Sequence, residues 1–298
     1  MKKINKNKEI LLATILCILL TACLNDTVRP DILQDYTPRL VVNAVVSSDD
    51  AIGIRVTSSK AILDASFPSL VTDADLTYRT SLGKEGSLTY DLFSELYTSS
   101  DKLIPGEVIR VRGEHPDFPT ILSEVRIPDA IATAASLVTN GGTDTSGLPG
   151  DLITLTFTDQ PGQKNYYKLR VLYWNGFDFI PIIYPHSDPS FSEFNSLRLQ
   201  DASILFTDDL FDGKEKAVFT VAANGLTFGL PAEQDKYKVE FASISSDFYD
   251  YFISLNRAAE AKEVTFQGGF NNAVVIHSNI DNGLGVLATE WRSNFFLK

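Results

Sequence analysis

The chain has few of the residues from which most metal and catalytic sites are built. Its 298 residues include three histidines, two cysteines and one methionine. The histidines His115, His186 and His277 are far apart, and the closest two are separated by 71 positions. Paired-cysteine zinc motifs, metalloprotease helices and the Gly-x-Ser-x-Gly elbow are absent from the sequence. We therefore predict no catalytic residues, no metal site and no cofactor, and we expect a protein that is not an enzyme.

Positive charge is also scarce. The chain has 26 Lys and Arg residues against 38 Asp and Glu residues, which gives a formal net charge of −12. A protein that holds a polyanion needs a basic field, so this balance excludes nucleic acid as a main partner. Apolar residues make up 44% of the chain and charged residues 21%, which is typical of folded proteins.

Long hydrophobic runs are missing except at the amino terminus. A lysine-rich start is followed by Ile10 to Leu20, which spans 11 residues and is apolar apart from Thr14. A membrane-spanning helix needs about 20 apolar residues, so this shorter run fits the hydrophobic region of a signal peptide better. We predict a signal peptide over residues 1–22.

The predicted cleavage site contains the second of the two cysteines. Leu20-Thr21-Ala22-Cys23 matches the pattern of a bacterial lipobox, in which the cysteine takes the lipid. Cys17 would be removed with the signal peptide, so Cys23 is the predicted lipidation site. Two or three acyl chains hold a protein firmly on a bilayer. Residues 23–38 are predicted to form a tether, and the acidic body is expected to stand off anionic headgroups.

The rest of the chain has the pattern of a mainly β protein. Apolar and polar residues alternate from Arg39 onward, and turn-forming residues separate the short segments. We predict two β-sandwich-like domains, an N-terminal one over residues 39–128 and a C-terminal β-rich one over residues 129–298. A capped segment with apolar residues at three-and-four spacing predicts one amphipathic helix near residues 246–261.

Two short motifs resemble ligand sites but lack the context that those sites require. Gly283-Leu284-Gly285-Val286-Leu287-Ala288 matches a dinucleotide pattern, yet only ten residues follow it, too few for the helix that holds the pyrophosphate. We expect its glycines to serve the backbone. The segment Phe206 to Gly213 carries three aspartates without the spacing of an EF-hand, so we favour an acidic turn over a calcium site.

One segment is unusually rich in aromatic residues and turn formers. It runs from Asn175 to Phe194 and follows Trp174 directly. Such a loop keeps apolar groups exposed for a partner or ligand, although the same rings could equally cap one end of a sandwich. The candidate contact residues are Trp174, Phe177, Phe179, Tyr184, Phe191 and Phe194.

Several segments together resemble a known family. They are the lipobox, the strand Leu40 to Val46, the turn Phe206 to Lys214, the helix start Phe248 to Tyr251 and, most specifically, Ser278 to Val286. The chain resembles a family of Bacteroidota lipoproteins that carries only a domain-of-unknown-function label, DUF4249. Members are commonly encoded beside TonB-dependent outer-membrane receptors, and no catalytic residues come with the resemblance.

The resemblance implies an accessory role in uptake. We expect an outer-membrane lipoprotein, on the cell surface or the periplasmic face, that assists a TonB-dependent transporter by substrate capture or docking. The expected partners are the lipid bilayer, through acylated Cys23, and such a receptor. A structural or adhesion protein of the cell envelope is the alternative, and a glycan-active enzyme is the third.

Overall fold

A computed structural model describes residues 36–48, 50–61, 64–144, 146–182, 188–191, 196–223, 234–262 and 274–298. The predicted signal peptide and Cys23 lie outside these residues. Residues 38–60 and 65–298 form one compact unit, which holds the strands and the helix below, and residues 1–37 and 61–64 are assigned to another. Within the described residues, no helix is long and apolar enough to cross a membrane.

The described residues form sixteen strands, one α-helix and a short 3-10 turn at Pro189–Phe191. The elements are β1 Leu40–Ser47, β2 Ala51–Ser58, β3 Asp75–Thr80, β4 Glu85–Asp91, β5 Leu96–Lys102, β6 Val108–His115, β7 Phe118–Arg126, β8 Thr133–Thr143, β9 Pro149–Thr158, β10 Tyr166–Trp174, β11 Phe179–Pro181, β12 Ser196–Arg198, β13 Ile204–Thr207, β14 Glu215–Ala223, β15 Tyr237–Ile244, α1 Ser246–Lys262 and β16 Leu284–Leu297.

The strands form two sheets, which confirms the mainly β prediction. The larger sheet has the order β12-β13-β10-β15-β16-β1-β2-β5-β4-β3-β6-β7, with β11 paired to β10, and the smaller one has the order β14-β9-β8. All of the described strand pairs except one are antiparallel. The exception that links the two halves of the chain is β16, which runs parallel to β1 and places Gly285 opposite Val42 and Leu287 opposite Ala44.

The strands β1 to β7 enclose a core of their own. Their alternating sequence puts every second side chain inside, as in β3, where Leu76 and Tyr78 are buried and Arg79 is exposed. The buried set runs from Leu40 to Ile127 and takes in Ile280 and Leu287 from the end of the chain. This half therefore has the buried interior expected of a sandwich.

The later strands build a second core between the two sheets. Phe157 of β9 packs on Tyr167 of β10 with ring centroids 4.9 Å apart, and on Phe241 of β15 at 4.6 Å. The opposite face of the larger sheet is covered by α1. Buried Phe248 of that helix joins a cluster that includes Ala288 of β16.

The helix occupies almost the predicted range. Ser245 caps it, because its Oγ accepts a hydrogen bond from the N–H of Phe248 at 3.3 Å, and Asp247 lies in the positively polarised first turn. The aromatic stripe packs on the sheet, as we predicted for a helix that covers one face.

The division of the chain near residue 128 remains a prediction. The two cores contain largely separate parts of the sequence. However, β16 pairs with β1 from one half and with β15 from the other, so one continuous sheet joins them.

Candidate functional site

The β10–β11 hairpin carries three of the predicted contact residues. Trp174 and Phe179 are opposite each other in the hairpin register, and their rings meet edge to face at 5.2 Å. At the tip, the Asn175 side-chain oxygen accepts hydrogen bonds from the N–H groups of Phe177 and Asp178, both at 2.9 Å. This turn holds Phe177 out from the sheet, where it is 91% exposed.

A fourth aromatic residue extends this surface and was missed in the sequence. Phe296 of β16 lies 5.8 Å from the Phe179 ring, and the Lys238 ammonium lies 5.6 Å above the Phe296 ring. Neighbouring residues in a strand point to opposite faces, so the pair Phe295-Phe296 could have indicated that one ring faces away from the core. We call Trp174, Phe177, Phe179 and Phe296 the distal aromatic surface.

Phe191, another predicted contact residue, does not contribute to this surface. Phe191 is buried in the core, where its ring packs edge to face on Phe206 at 4.9 Å, so it is a packing residue and not an exposed contact. The reason is that the short turn at Pro189–Phe191 folds inward over β13. Tyr184 and Phe194 lie outside the described residues.

The acidic turn is held by its own hydrogen bonds. Asp159, Asp208 and Asp212 bring carboxylate oxygens within 4.8 Å of one another, so they are the described residues that could hold a metal ion. Each carboxylate already accepts from the protein: Asp159 from the Tyr167 hydroxyl and the Gly213 N–H, Asp208 from the Asn165 N–H, and Asp212 from the Gly162 N–H. These hydrogen bonds support the interpretation of Phe206 to Gly213 as an acidic turn, which they connect to the residues that follow β9.

Burial limits what these carboxylates can do chemically. Asp159 and Asp208 are each only 2% exposed, so their carboxylates are not accessible to a substrate molecule. Burial raises the pKa of the Asp208 carboxyl, and the neighbouring Asp159 adds to the rise, whereas the Asn165 N–H opposes it. Burial also raises the pKa of the Tyr167 hydroxyl, as does its hydrogen bond to Asp159.

A cleft of about 600 Å³ lies between α1 and the larger sheet. Its apolar wall includes Phe252 and Leu255 of the helix, and its floor includes Lys168, Glu290 and Arg292. Glu290 is 3% exposed and is paired with both basic residues. Clefts of this size with an apolar wall and a few polar groups commonly bind small molecules. The sequence did not reveal it, because its lining comes from segments far apart in the chain.

A larger groove of about 930 Å³ lies over β3, β6 and β7. Its basic residues are Arg79, Arg110 and Arg112, of which the first two are opposite each other in neighbouring strands. Each guanidinium has a carboxylate partner, so the groove offers little excess positive charge to an anion. The partners are Glu85, Glu124 and Glu114 respectively.

Comparison with known proteins assigns the family. The profile of a family described as a domain of unknown function, DUF4249, matches residues 25–290, which is most of the chain. The chain belongs to the DUF4249 family. No curated protein matches it. The resemblance noted in the sequence is thus confirmed, while the links to Bacteroidota and to TonB-dependent receptors remain predictions.

In this DUF4249 chain, the segment Ser278 to Val286 joins β7, β1 and β16. The N–H of Asp281 donates to the Leu122 carbonyl at 2.8 Å. The Asn279 amide pairs with Leu287 as a strand would, donating to its carbonyl at 2.8 Å and accepting from its N–H at 2.9 Å. The most specific motif of the resemblance therefore organises the start of β16.

The two glycines of this motif serve the backbone, as we predicted. Gly285 has a φ of +91°, and a Cβ there would lie 2.0 Å from the Val42 carbonyl oxygen. At Gly283 a Cβ would lie 2.7 Å from Ile280 and 3.0 Å from the Leu40 carbonyl oxygen. Both glycines allow β16 to approach β1 closely.

Proposed function

We propose that this DUF4249 protein is an outer-membrane-anchored accessory lipoprotein that assists a TonB-dependent transporter by substrate capture or docking. The observation that carries the proposal is the distal aromatic surface. It presents Phe177 at 91% and Phe296 at 53% exposure on a turn and a strand of defined shape. Aromatic side chains, Phe among them, are enriched at protein interfaces relative to the rest of the surface.

The strand β16 extends from the start of β1, which the predicted tether precedes in the chain, to the distal aromatic surface. The tether enters the fold at β1, and Leu284 at the start of β16 is opposite Val41. The strand has 14 residues and ends at Leu297, so from Leu284 it spans roughly 43 Å at about 3.3 Å per residue. A protein anchored at its β1 end would therefore hold its aromatic surface away from the bilayer, toward a partner.

The cleft between α1 and the sheet supports substrate capture as part of the same role. Its apolar helix wall and its charged floor suit an amphipathic molecule. Docking and capture make different demands on the protein. Docking requires the distal aromatic surface, whereas capture requires the cleft.

Copurification after detergent extraction tests the docking role. Phe177→Ser combined with Phe179→Ser should abolish copurification with an outer-membrane barrel, because removing one interface anchor typically weakens binding by about 30-fold or more. Phe219→Ser is the matched control, since Phe219 is 60% exposed on the separate three-stranded sheet. Copurification that survives the double variant contradicts docking through this surface.

The anchor is tested separately on the same chain. Cys23→Ser should lose labelling by a palmitate analogue and should leave the membrane fraction, because no other cysteine remains after the predicted cleavage. Continued labelling and membrane binding of the variant would contradict the lipoprotein assignment. Binding to envelope glycans without any barrel would favour the adhesion alternative.

A further inference from the structure

A second exposed apolar surface lies at the tip of the β4–β5 hairpin. Leu92 is 76% exposed and Phe93 is 97% exposed. Phe67, in the segment between β2 and β3, is 93% exposed. Single exposed apolar residues are ordinary on protein surfaces, but three largely exposed ones on loops at one end of a sheet point to something that covers them.

The hairpin tip has a fixed shape. The Asp91 carboxylate accepts hydrogen bonds from the N–H groups of Phe93 and Ser94, both at 3.2 Å, and from the Ser94 hydroxyl at 2.6 Å. Glu95 adopts a φ of +57° and pairs with Arg55 at 2.7 Å. Because the turn is held by these contacts, Leu92 and Phe93 are displayed at little further entropic cost.

The segment that carries Phe67 is also fixed to the sheet. The N–H of Ser58 donates to the Ser69 carbonyl at 2.9 Å, and the N–H of Val71 donates to the Val56 carbonyl at 3.1 Å. These bonds put the segment beside the last residues of β2, at the same end of the sheet as the hairpin tip.

This is the end of the fold at which the chain enters. Leu40, the first residue of β1, is opposite Ser58, the last residue of β2, and the Ser59 N–H donates to the Arg39 carbonyl at 2.8 Å. The Arg55–Glu95 pair joins β2 to the hairpin tip near this point. The exposed apolar residues and the start of the first strand therefore share one end of the sheet.

The length of chain before β1 decides what can reach this end. Residues 24–38 number 15, and a random coil of 15 residues would have a root-mean-square extension of about 20 Å. With Cys23 acylated and the tether as predicted, the β1 end of the fold would therefore stay close to the headgroups, at a high effective concentration of bilayer. The distal aromatic surface is roughly 43 Å farther along β16.

We propose that Leu92, Phe93 and Phe67 form a membrane-contact surface that enters the headgroup region of the bilayer to which the chain is tethered. The inference rests on the acylation of Cys23 in the proposed function. It refines the expectation that the acidic body stands off the membrane, since contact is confined to this end. Acidic residues near the same end, among them Asp73, Asp75 and Glu114, make anionic headgroups less favourable than zwitterionic ones.

Quenching by brominated lipids tests the contact on the full acylated chain. The chain is reconstituted in phosphatidylcholine vesicles with brominated acyl chains, and Phe93→Trp places a fluorophore at the tip. Phe177→Trp is the matched control, because Phe177 is 91% exposed on a hairpin tip at the other end of β16. The wild-type chain supplies the background from Trp174 and Trp291.

We expect the fluorescence added by F93W to shift to the blue and to be quenched, and that added by F177W to remain unquenched. Adding Leu92→Ser to F93W should reduce the quenching, as should replacing phosphatidylcholine with phosphatidylglycerol. An unquenched F93W on a chain that floats with the vesicles overturns the inference, and so does an F93W that is shielded only when a barrel protein copurifies. A wild-type chain that fails to float overturns the anchor itself, which separates the two failures.

Discussion

Gly285 offers the sharpest test of how the two halves of the chain are joined. Its φ of +91° is a conformation that residues with a side chain rarely adopt, and it lies opposite Val42 in the parallel pair of β1 and β16. In Gly285→Ala the new Cβ would lie 2.0 Å from the Val42 carbonyl oxygen and 2.9 Å from the Val42 carbonyl carbon. Both neighbours are backbone atoms, so they cannot rotate away as a side chain could.

The expected cost has two parts. A residue held in a sparsely populated backbone conformation costs about 1–3 kcal/mol. Moving β1 away from the added methyl group costs about 1–3 kcal/mol more, as in overpacked cores. The total of about 2–6 kcal/mol is a large fraction of the roughly 5–15 kcal/mol by which folded domains are stable. Gly83→Ala is the matched control, because Gly83 has a φ of +84° with nothing within 4 Å of its added Cβ.

Urea unfolding of the purified chain, followed by tryptophan fluorescence, separates the two parts. Trp291 lies on β16 itself and reports on the strand that is disturbed. We expect a small fall in the unfolding midpoint for Gly83→Ala and a much larger one for Gly285→Ala at a similar m-value. Equal falls for the two variants would refute the close approach of β16 to β1.

Two further predictions concern the acidic turn and the aromatic loop. Asp208→Asn keeps an acceptor for Asn165 but removes a buried charge whose pKa is raised in the folded state, so the variant should gain thermal stability over wild type at neutral pH. That advantage should shrink as the pH falls through the raised pKa of the Asp208 carboxyl, because wild type then takes up the proton and loses the buried charge, and an advantage that grows on acidification would contradict this reasoning. Phe191→Ala should cost about 3–5 kcal/mol in urea unfolding and Phe177→Ala within about 0.5 kcal/mol, because only the first ring is buried, and equal costs would show that this assignment is wrong.

The local pattern of apolar and polar residues was enough to predict strands and the helix, because each of these depends on residues that are close together in the sequence. Alternation indicated strands such as β1 and β3, and the three-and-four spacing around Phe248 indicated α1. The glycines of the late motif were assigned to the backbone because their sequence context excluded a nucleotide fold. In each case the residues that form the pattern lie within about ten positions of one another in the sequence.

Features that depend on pairing across the chain could not be predicted in the same way. Nothing local indicates that β16 runs parallel to β1, because the partners are more than 240 positions apart. The composition of the loop predicted that Phe177 and Phe191 are both exposed. In the structure a hydrogen-bonded turn holds Phe177 out from the sheet, whereas Phe191 packs in the core. The cleft below α1 is likewise formed by residues from five separate elements and two loops, so no single segment carries its signature.

The position of β16 gives the two proposed contacts a common geometric reason. The predicted tether alone would let the body rotate over the bilayer, so the distal aromatic surface would face a partner only part of the time. A second contact at Phe93 would restrict that rotation, and β16, paired with β1 over seven residues and with β15 over eight, would carry the restriction to Phe296. The contact at the membrane would thus reduce the orientational cost of docking at the other end without touching the partner. On this reasoning, loss of the hairpin tip weakens docking through orientation, whereas loss of Phe177 and Phe179 weakens it through the interface itself.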